Sequence, residues 1–401
     1  MHGTPVLKVL DCWPALPIVV EYGGSSDLNP PSPEDEENIL TALKRTDRVS
    51  TIHLTVTNSL LRKLYSIESQ FSELQDLVLL SQGGKQRTLP RTFRAGPRLR
   101  RLHSNGVAFS APLRLLSSSR DLVDIQLHDI SDNRRLSPKT LANALSKMAH
   151  LRSLSLRYNV RPTANTNIPA LSEERVVKRF VIPSLSCLKY RGMSKDLDNF
   201  LERLDAPRLA DIEITFCDET QFNVSNLRKF IDRTDMWKLH RQADILFSER
   251  SVSISLTQSA RTCLKFQVLS DPLRPQIVSI ARLCSDIPAF RLGVEDLRIK
   301  STRLSSWLYN VDYEAWTIII RLFNAAKFVY LAGDISTEVV RALRLLGGRR
   351  VTLLPVLSKL CISKSKSRYS SLREEVVSLM TDCRLSGHPV EAICIKEDGT
   401  G

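Results

Sequence analysis

One spacing recurs from end to end of this 401-residue chain: an apolar residue, two variable positions, a second apolar residue, one variable position and a third apolar residue. It occurs as Val49/Ile52/Leu54, Leu74/Leu77/Leu79, Leu122/Ile125/Leu127, Leu151/Leu154/Leu156, Leu185/Leu188/Tyr190, Leu209/Ile212/Ile214, Val294/Leu297/Ile299, Ala326/Val329/Leu331 and Leu357/Leu360/Ile362, with Leu99/Leu102/Ser104 as a weakened copy. The second and third apolar positions lie two apart, the period of a strand with one face buried. A unit this short cannot bury its apolar stripe alone, so neighbouring units must stack and share a core.

That spacing is the strand signature of a leucine-rich repeat. It predicts an α/β fold: a solenoid, or horseshoe, of short parallel strands on the concave side, with helices or irregular segments on the convex side. Strand starts at 74, 99, 122, 151, 185 and 209 are separated by about 23 to 34 residues, mostly near the 20 to 29 of such repeats. The two longest intervals hold a helix over 137–148 and a polar insertion over 161–174. Residues 1–401 are expected to form a single irregular solenoid: a capping region over 1–46, a first repeat block over 47–216, an irregular segment with a hairpin over 217–290, and a second repeat block with a C-terminal cap over 291–401. Within 217–290 the spacing predicts a helix over 225–231 with Ser225 as N-cap, strand-like alternation over 243–247, 252–256 and 264–269, and a helix over about 275–284.

Composition narrows the function classes. The 57 basic against 43 acidic side chains leave a formal charge of +14, which favours an acidic partner. Eight cysteines are spread singly without a Cys-x-x-Cys pair, so neither a zinc site nor a disulfide framework is expected, and the thiols suit a cytoplasmic or nuclear protein. No charge-free stretch is longer than 49–61, short of the ~18 residues of a membrane span. The apolar N-terminus lacks a basic flank and is broken by Asp11, Pro14 and Pro17, so no secretory signal is expected.

If the three apolar positions point inward, the residues between them line the concave face. The candidate protein-binding residues there are His53, Arg101, His103, Gln126, His128, Arg157, Lys189, Arg191, Glu213, Arg298, Phe328 and Tyr330, with the two aromatics as anchors for an unidentified protein partner. His53, His103 and His128 sit in nearby repeats, but no fourth ligand is placed beside them, so no metal is expected. Gly83-Gly84-Lys85-Gln86 lacks the glycine spacing and the hydroxyl of a phosphate loop, and there is no Gly-x-Ser-x-Gly or His-Glu-x-x-His. Cys383 and His388 lie close in sequence without a third group to orient them. No cofactor, catalytic residue or enzymatic activity is expected. The alternative is a basic nucleic-acid-binding protein, since Lys85, Arg87, Arg91, Arg94, Arg98, Arg100 and Arg101 crowd one passage and Lys364, Lys366, Arg368 and Arg373 another.

Three runs carry a family resemblance: Trp13-Pro14-Ala15-Leu16-Pro17-Ile18-Val19-Val20, Asp205-Ala206-Pro207-Arg208-Leu209-Ala210-Asp211-Ile212-Glu213-Ile214-Thr215-Phe216, and Arg384-Leu385-Ser386-Gly387-His388-Pro389-Val390. In this order they resemble the leucine-rich-repeat region of the F-box-like proteins of mushroom-forming fungi, over nearly the whole chain. The resemblance implies a substrate-recognition arm of a ubiquitin-ligase receptor. Family members usually carry an upstream F-box, opened by a Leu-Pro-x-Glu pattern, and this chain has no counterpart to it. Ubiquitin-ligase subunits are therefore expected as partners only if the coding sequence continues upstream.

Overall fold

The computed structural model describes residues 10, 16–23, 31–81, 87–109, 112–130, 137–158, 178–217, 224–234, 241–259, 262–269, 273–287, 293–302, 313–347, 354–363, 369–385 and 390–395. The 161–174 insertion, Lys85, Lys364, Lys366, Arg368 and His388 lie outside the described residues. The chain divides into two compact units, Met1–Gly192 with Glu202–Leu209, and Met193–Leu201 with Ala210–Gly401. Both are mixed α/β units built on a large, mostly parallel sheet.

In the first unit seven strands lie side by side in chain order, every pair parallel: β1 Ile18–Tyr22, β2 Val49–Val56, β3 Asp76–Ser81, β4 Arg101–Asn105, β5 Asp124–Ile130, β6 Ser153–Tyr158 and β7 Cys187–Gly192. The register stacks like on like. Ile52, Leu77, Leu102, Ile125, Leu154 and Leu188 form one buried row, and Leu54, Leu79, Ser104, Leu127, Leu156 and Tyr190 the next. Ser104 is tolerated in that row because its hydroxyl donates to the Val107 carbonyl, which removes the cost of burying it unpaired.

The approach to β4, β5, β6 and β7 repeats in its backbone. The Gln75 carbonyl accepts from the amides of Arg100 and Arg101, Arg100 from those of Val123 and Asp124, Val123 from Arg152 and Ser153, and Arg152 from Ser186 and Cys187. One turn earlier, Leu151 donates to the Met148 carbonyl and Leu185 to Ile182. This adds a buried position three residues before the first apolar residue of the spacing, occupied by Phe71, Met148 and Ile182. Gly96 holds the same place ahead of Leu99, because a Cβ there would lie 2.7 Å from the Phe71 carbonyl oxygen.

Among the described residues, this unit carries the α-helices α1 Pro33–Leu43, α2 Asn58–Lys63, α3 Pro112–Ser118 and α4 Pro138–Leu145. Ser32 and Asp35 close a reciprocal capping box on α1, while Thr57 and Ser137 cap α2 and α4. Glu36 reaches from α1 to the start of α2, accepting from the hydroxyls of Thr57 and Ser59 at 2.8 Å each and lying 2.9 Å from Lys63 Nζ. Burial pushes its carboxyl up, but Lys63, Ser59 and Thr57 together hold it below the usual value.

The second unit opens with α5 Ser194–Leu201 and β8 Asp211–Cys217, followed by α6 Ser225–Asp232, β9 Gln242–Ser248, β10 Ser251–Ser259, β11 Thr262–Leu269, α7 Leu273–Asp286 and β12 Asp296–Ser301. It continues with α8 Tyr313–Leu322, β13 Phe328–Ala332, α9 Ser336–Gly347, β14 Lys359–Ser363, α10 Tyr369–Leu385 and β15 Glu391–Ile395. Its sheet runs β8-β11-β10-β9-β12-β13-β14-β15. The three alternating segments of 217–290 form an antiparallel meander inserted in reverse order, parallel to the flanking β8 and β12 at its two outer strands. The sheet passes through this segment without a break in register: Ile212, Leu264, Leu256, Ala243, Leu297, Val329 and Leu360 make one buried row. Trp316 of α8 packs edge-on against Phe247 of β9 at 5.4 Å, both fully buried.

Two expectations need correction. Ser225 is the first residue of α6 rather than its cap, and the position before it, Val224, offers no side-chain acceptor. Asp198 of α5 does the capping instead, accepting from the Asn226 amide at 2.7 Å, the Leu227 amide at 3.1 Å, Asn226 Nδ2 at 3.0 Å and the Ser225 hydroxyl at 3.3 Å. Leu357, the first apolar position of its repeat, is half-buried, unlike its counterparts.

Leu154 and Leu188 are fully buried and register-matched, so Leu154→Ala or Leu188→Ala should each lower unfolding free energy by about 2–5 kcal/mol. Arg157→Ala, on the outward face of the same strand as Leu154, should change it by no more than about 0.5 kcal/mol. Urea denaturation followed by circular dichroism checks the contrast, and equal losses would mean that the two faces are assigned the wrong way round.

Candidate protein-binding faces

The alternation that buries the leucines turns the intervening side chains to the opposite face of each sheet. In the first unit the ladder sets His53, Val78, His103, Gln126, Ser155 and Lys189 in one row. Thr51, Asp76, Arg101, Asp124, Ser153 and Cys187 form the row before it. All twelve candidate residues are half-buried or exposed, none belonging to the core. The structure thus brings His53, Arg101, His103, Gln126, His128, Arg157, Lys189 and Arg191 onto the face of the first unit, and Glu213, Arg298, Phe328 and Tyr330 onto that of the second.

The first face is cross-linked by charge. His53 Nδ1 lies 3.3 Å from Glu21 Oε1 and its Nε2 3.2 Å from Asp76 Oδ2, while Arg101 Nη2 reaches the same Asp76 oxygen at 2.7 Å. Asp76 is therefore buried, at 6 % exposure, beneath a histidine and an arginine. Sequence alternation alone places it among exposed positions; the signal for its burial is the basic residue in each flanking strand, at His53 and Arg101, visible once the repeats are aligned.

Further along, His103 and His128 meet edge to face at 5.3 Å, and His128 Nε2 lies 2.9 Å from Ser155 Oγ. Burial holds both imidazoles below their ordinary value; for His103 the carboxylates of Asp124 and Asp76 oppose it, and for His128 the neighbouring His103 and Arg157 add to it. His103 Nε2 and Asp124 Oδ1 are buried without a hydrogen bond among the described residues. The His128–Ser155 distance suits a base and a hydroxyl, but among the described residues no acid accepts from the other ring nitrogen to orient it. No group of three or more His, Cys, Asp or Glu among the described residues is placed to hold a metal ion.

β5 carries a bulge at this point. Leu127 and Ile130 pair with Leu156 and Tyr158, so two residues, His128 and Asp129, stand opposite the single Arg157. Asp129 is the one non-glycine at positive φ among the described residues, at 54°, a conformation that short polar side chains tolerate. Its Oδ1 lies 3.4 Å from Arg157 Nε.

The second face has its own pairs: Lys265 with Glu213 at 2.9 Å, Lys300 with Asp244 at 3.4 Å and Arg298 with Asp296 at 3.1 Å. The Asp296 carboxylate holds the Arg298 guanidinium above its ordinary value, burial opposing it. Lys300 Nζ stands 5.8 Å from the Tyr330 ring centroid, within cation–π range. Among the described residues, Phe328, 45 % exposed, and Leu246, 40 % exposed, are large apolar side chains left open on this face.

The basic passage before β4 is partly neutralised. Arg98 pairs with Glu73 and Arg101 with Asp76, leaving Arg91, Arg94 and Arg100 exposed without an acidic partner among the described residues. Among the described residues no helix is long and apolar enough to cross a membrane. Compared with known proteins, the chain matches no family model and no curated protein.

The lowered values of His103 and His128 set a direction for pH. Their folded-state values lie below the unfolded 6.5, so as pH falls through that value the unfolded chain takes up protons first and stability is lost. Urea midpoints should fall between about pH 7.5 and about pH 5.5, and the double variant His103→Asn/His128→Asn should show a shallower fall. An identical fall in the variant would remove the two imidazoles as its source.

Proposed function

We propose that the chain is a non-enzymatic leucine-rich-repeat scaffold that binds another protein on its outward strand faces, similar to the substrate-recognition part of an F-box ubiquitin-ligase receptor. The observation that carries it is the outward rows themselves: side chains of varied chemistry stand at register-matched positions on a scaffold whose backbone repeats, as at Gln75, Arg100, Val123 and Arg152. Such an arrangement holds side chains rigidly in place while leaving them free to differ. Phe328, with Tyr330 two residues on, supplies the apolar area that interface centres favour. Ligase subunits are partners only of a chain that carries an F-box upstream.

Binding of nucleic acid is the second reading, favoured by the exposed Arg91, Arg94 and Arg100. Phosphate contacts would make that binding fall steeply with salt.

Affinity capture from an extract of the source organism, read by quantitative mass spectrometry, tests the proposal. The full chain should enrich a defined set of proteins; Phe328→Ala/Tyr330→Ala should lose at least part of it, while Val278→Ala/Ile318→Ala on the exposed sides of α7 and α8 should retain it all. Equal capture by both variants would contradict docking on the strand face. Recovery of nucleic acid, abolished by Arg91→Gln/Arg94→Gln/Arg100→Gln, would favour the second reading.

A further inference from the structure

We propose that Arg157 and Arg191 form an anion seat on the face of the first unit, and that it takes a carboxylate from an acidic segment of the protein partner. The inference rests on the proposed protein-binding role and names the chemistry that one part of the face selects. Arg157 of β6 and Arg191 of β7 are direct register partners, so two guanidiniums project from neighbouring strands ~4.8 Å apart. Like charges directly opposite each other in a sheet are destabilising. Neither residue is needed for the core, since the rows that hold the sheet together are those of Leu154/Leu188 and Leu156/Tyr190.

A second feature converges on the same place. The bulge in β5 puts Asp129 at positive φ and brings its carboxylate to within 3.4 Å of Arg157 Nε, the inner nitrogen of that guanidinium. Arg191 has no ion pair or hydrogen bond among the described residues. The two arginines and Asp129 sum to a single positive charge. One carboxylate balances that charge and can accept from both guanidinium edges; a phosphate dianion would overshoot it and repel Asp129. Asp129 is a positioning residue, fixing the orientation of Arg157 without touching the bound group.

The probe is a fluorescein-labelled octaglutamate peptide titrated with the full chain at low salt and read by anisotropy. Arg157→Gln/Arg191→Gln should weaken binding by about tenfold or more, while Arg94→Gln/Arg100→Gln, which removes the same formal charge elsewhere, should leave it within about twofold. Thermal midpoints of the Arg157→Gln/Arg191→Gln variant should equal or exceed those of the parent, because a repulsion is relieved; a lowered midpoint would make the arginines structural and overturn the proposal. Equal weakening by both double variants would reduce the effect to diffuse electrostatics, and tighter binding of an oligothymidylate through the same two arginines would assign the seat to a nucleic acid; either result overturns it. If the peptide fails to bind while partner capture by the parent persists, the seat is wrong and the protein-binding role stands. If capture also fails, both fall.

Discussion

Parallel register is the constraint on which everything else depends. A slip of one residue between any two strands would turn the whole apolar row of one strand to solvent and bring its polar row into the core. The sheets guard against this twice. Side chains of similar shape stack strand after strand, Leu77 on Leu102 on Ile125 on Leu154 on Leu188, and at the entries to β4–β7 and β12–β14 one carbonyl accepts two successive amides of the next strand. In the second unit Arg241, Glu295 and Lys327 play the part that Gln75, Arg100, Val123 and Arg152 play in the first. The antiparallel meander keeps the same rows, because antiparallel pairing preserves the two-residue alternation even as it reverses direction.

With register fixed, the polar faces become electrostatic surfaces of defined layout. Their charges are largely tied to one another: Asp76 serves both His53 and Arg101, and Asp296 serves Arg298. A partly exposed pair such as Arg298–Asp296 contributes little to stability. The effect of such pairs is to hold side chains in place, so that what remains open is distinctive: aromatic and aliphatic surface at Phe328 and Leu246, and the arginine pair beside the β5 bulge.

The apolar spacing made the inner rows legible, because burial on one face of a strand leaves a period of two that no tertiary context has to supply. The twelve face residues followed from the same alternation. The buried position three residues ahead of each repeat was present in the sequence, as Met148 and Ile182, but Gly96 and Ser119 stand in the equivalent place elsewhere and blur the pattern. Other features were beyond local pattern. Asp198 caps a helix that begins after an intervening strand, so its role exists only once the two helices are neighbours. Asp76 is buried by partners from two other strands. The order of the meander in the sheet, and the bulge that aims Asp129 at Arg157, are decided by pairing between segments.

Hydroxyl-radical footprinting of the folded chain, resolved to single residues by mass spectrometry, probes the division between the two sets of rows most directly. The account predicts rapid modification of His103, His128, Phe328 and Tyr330, with protection of Leu154, Leu188, Leu297, Val329 and Leu360 until the chain is unfolded. Comparable modification of both sets in the folded chain would contradict it.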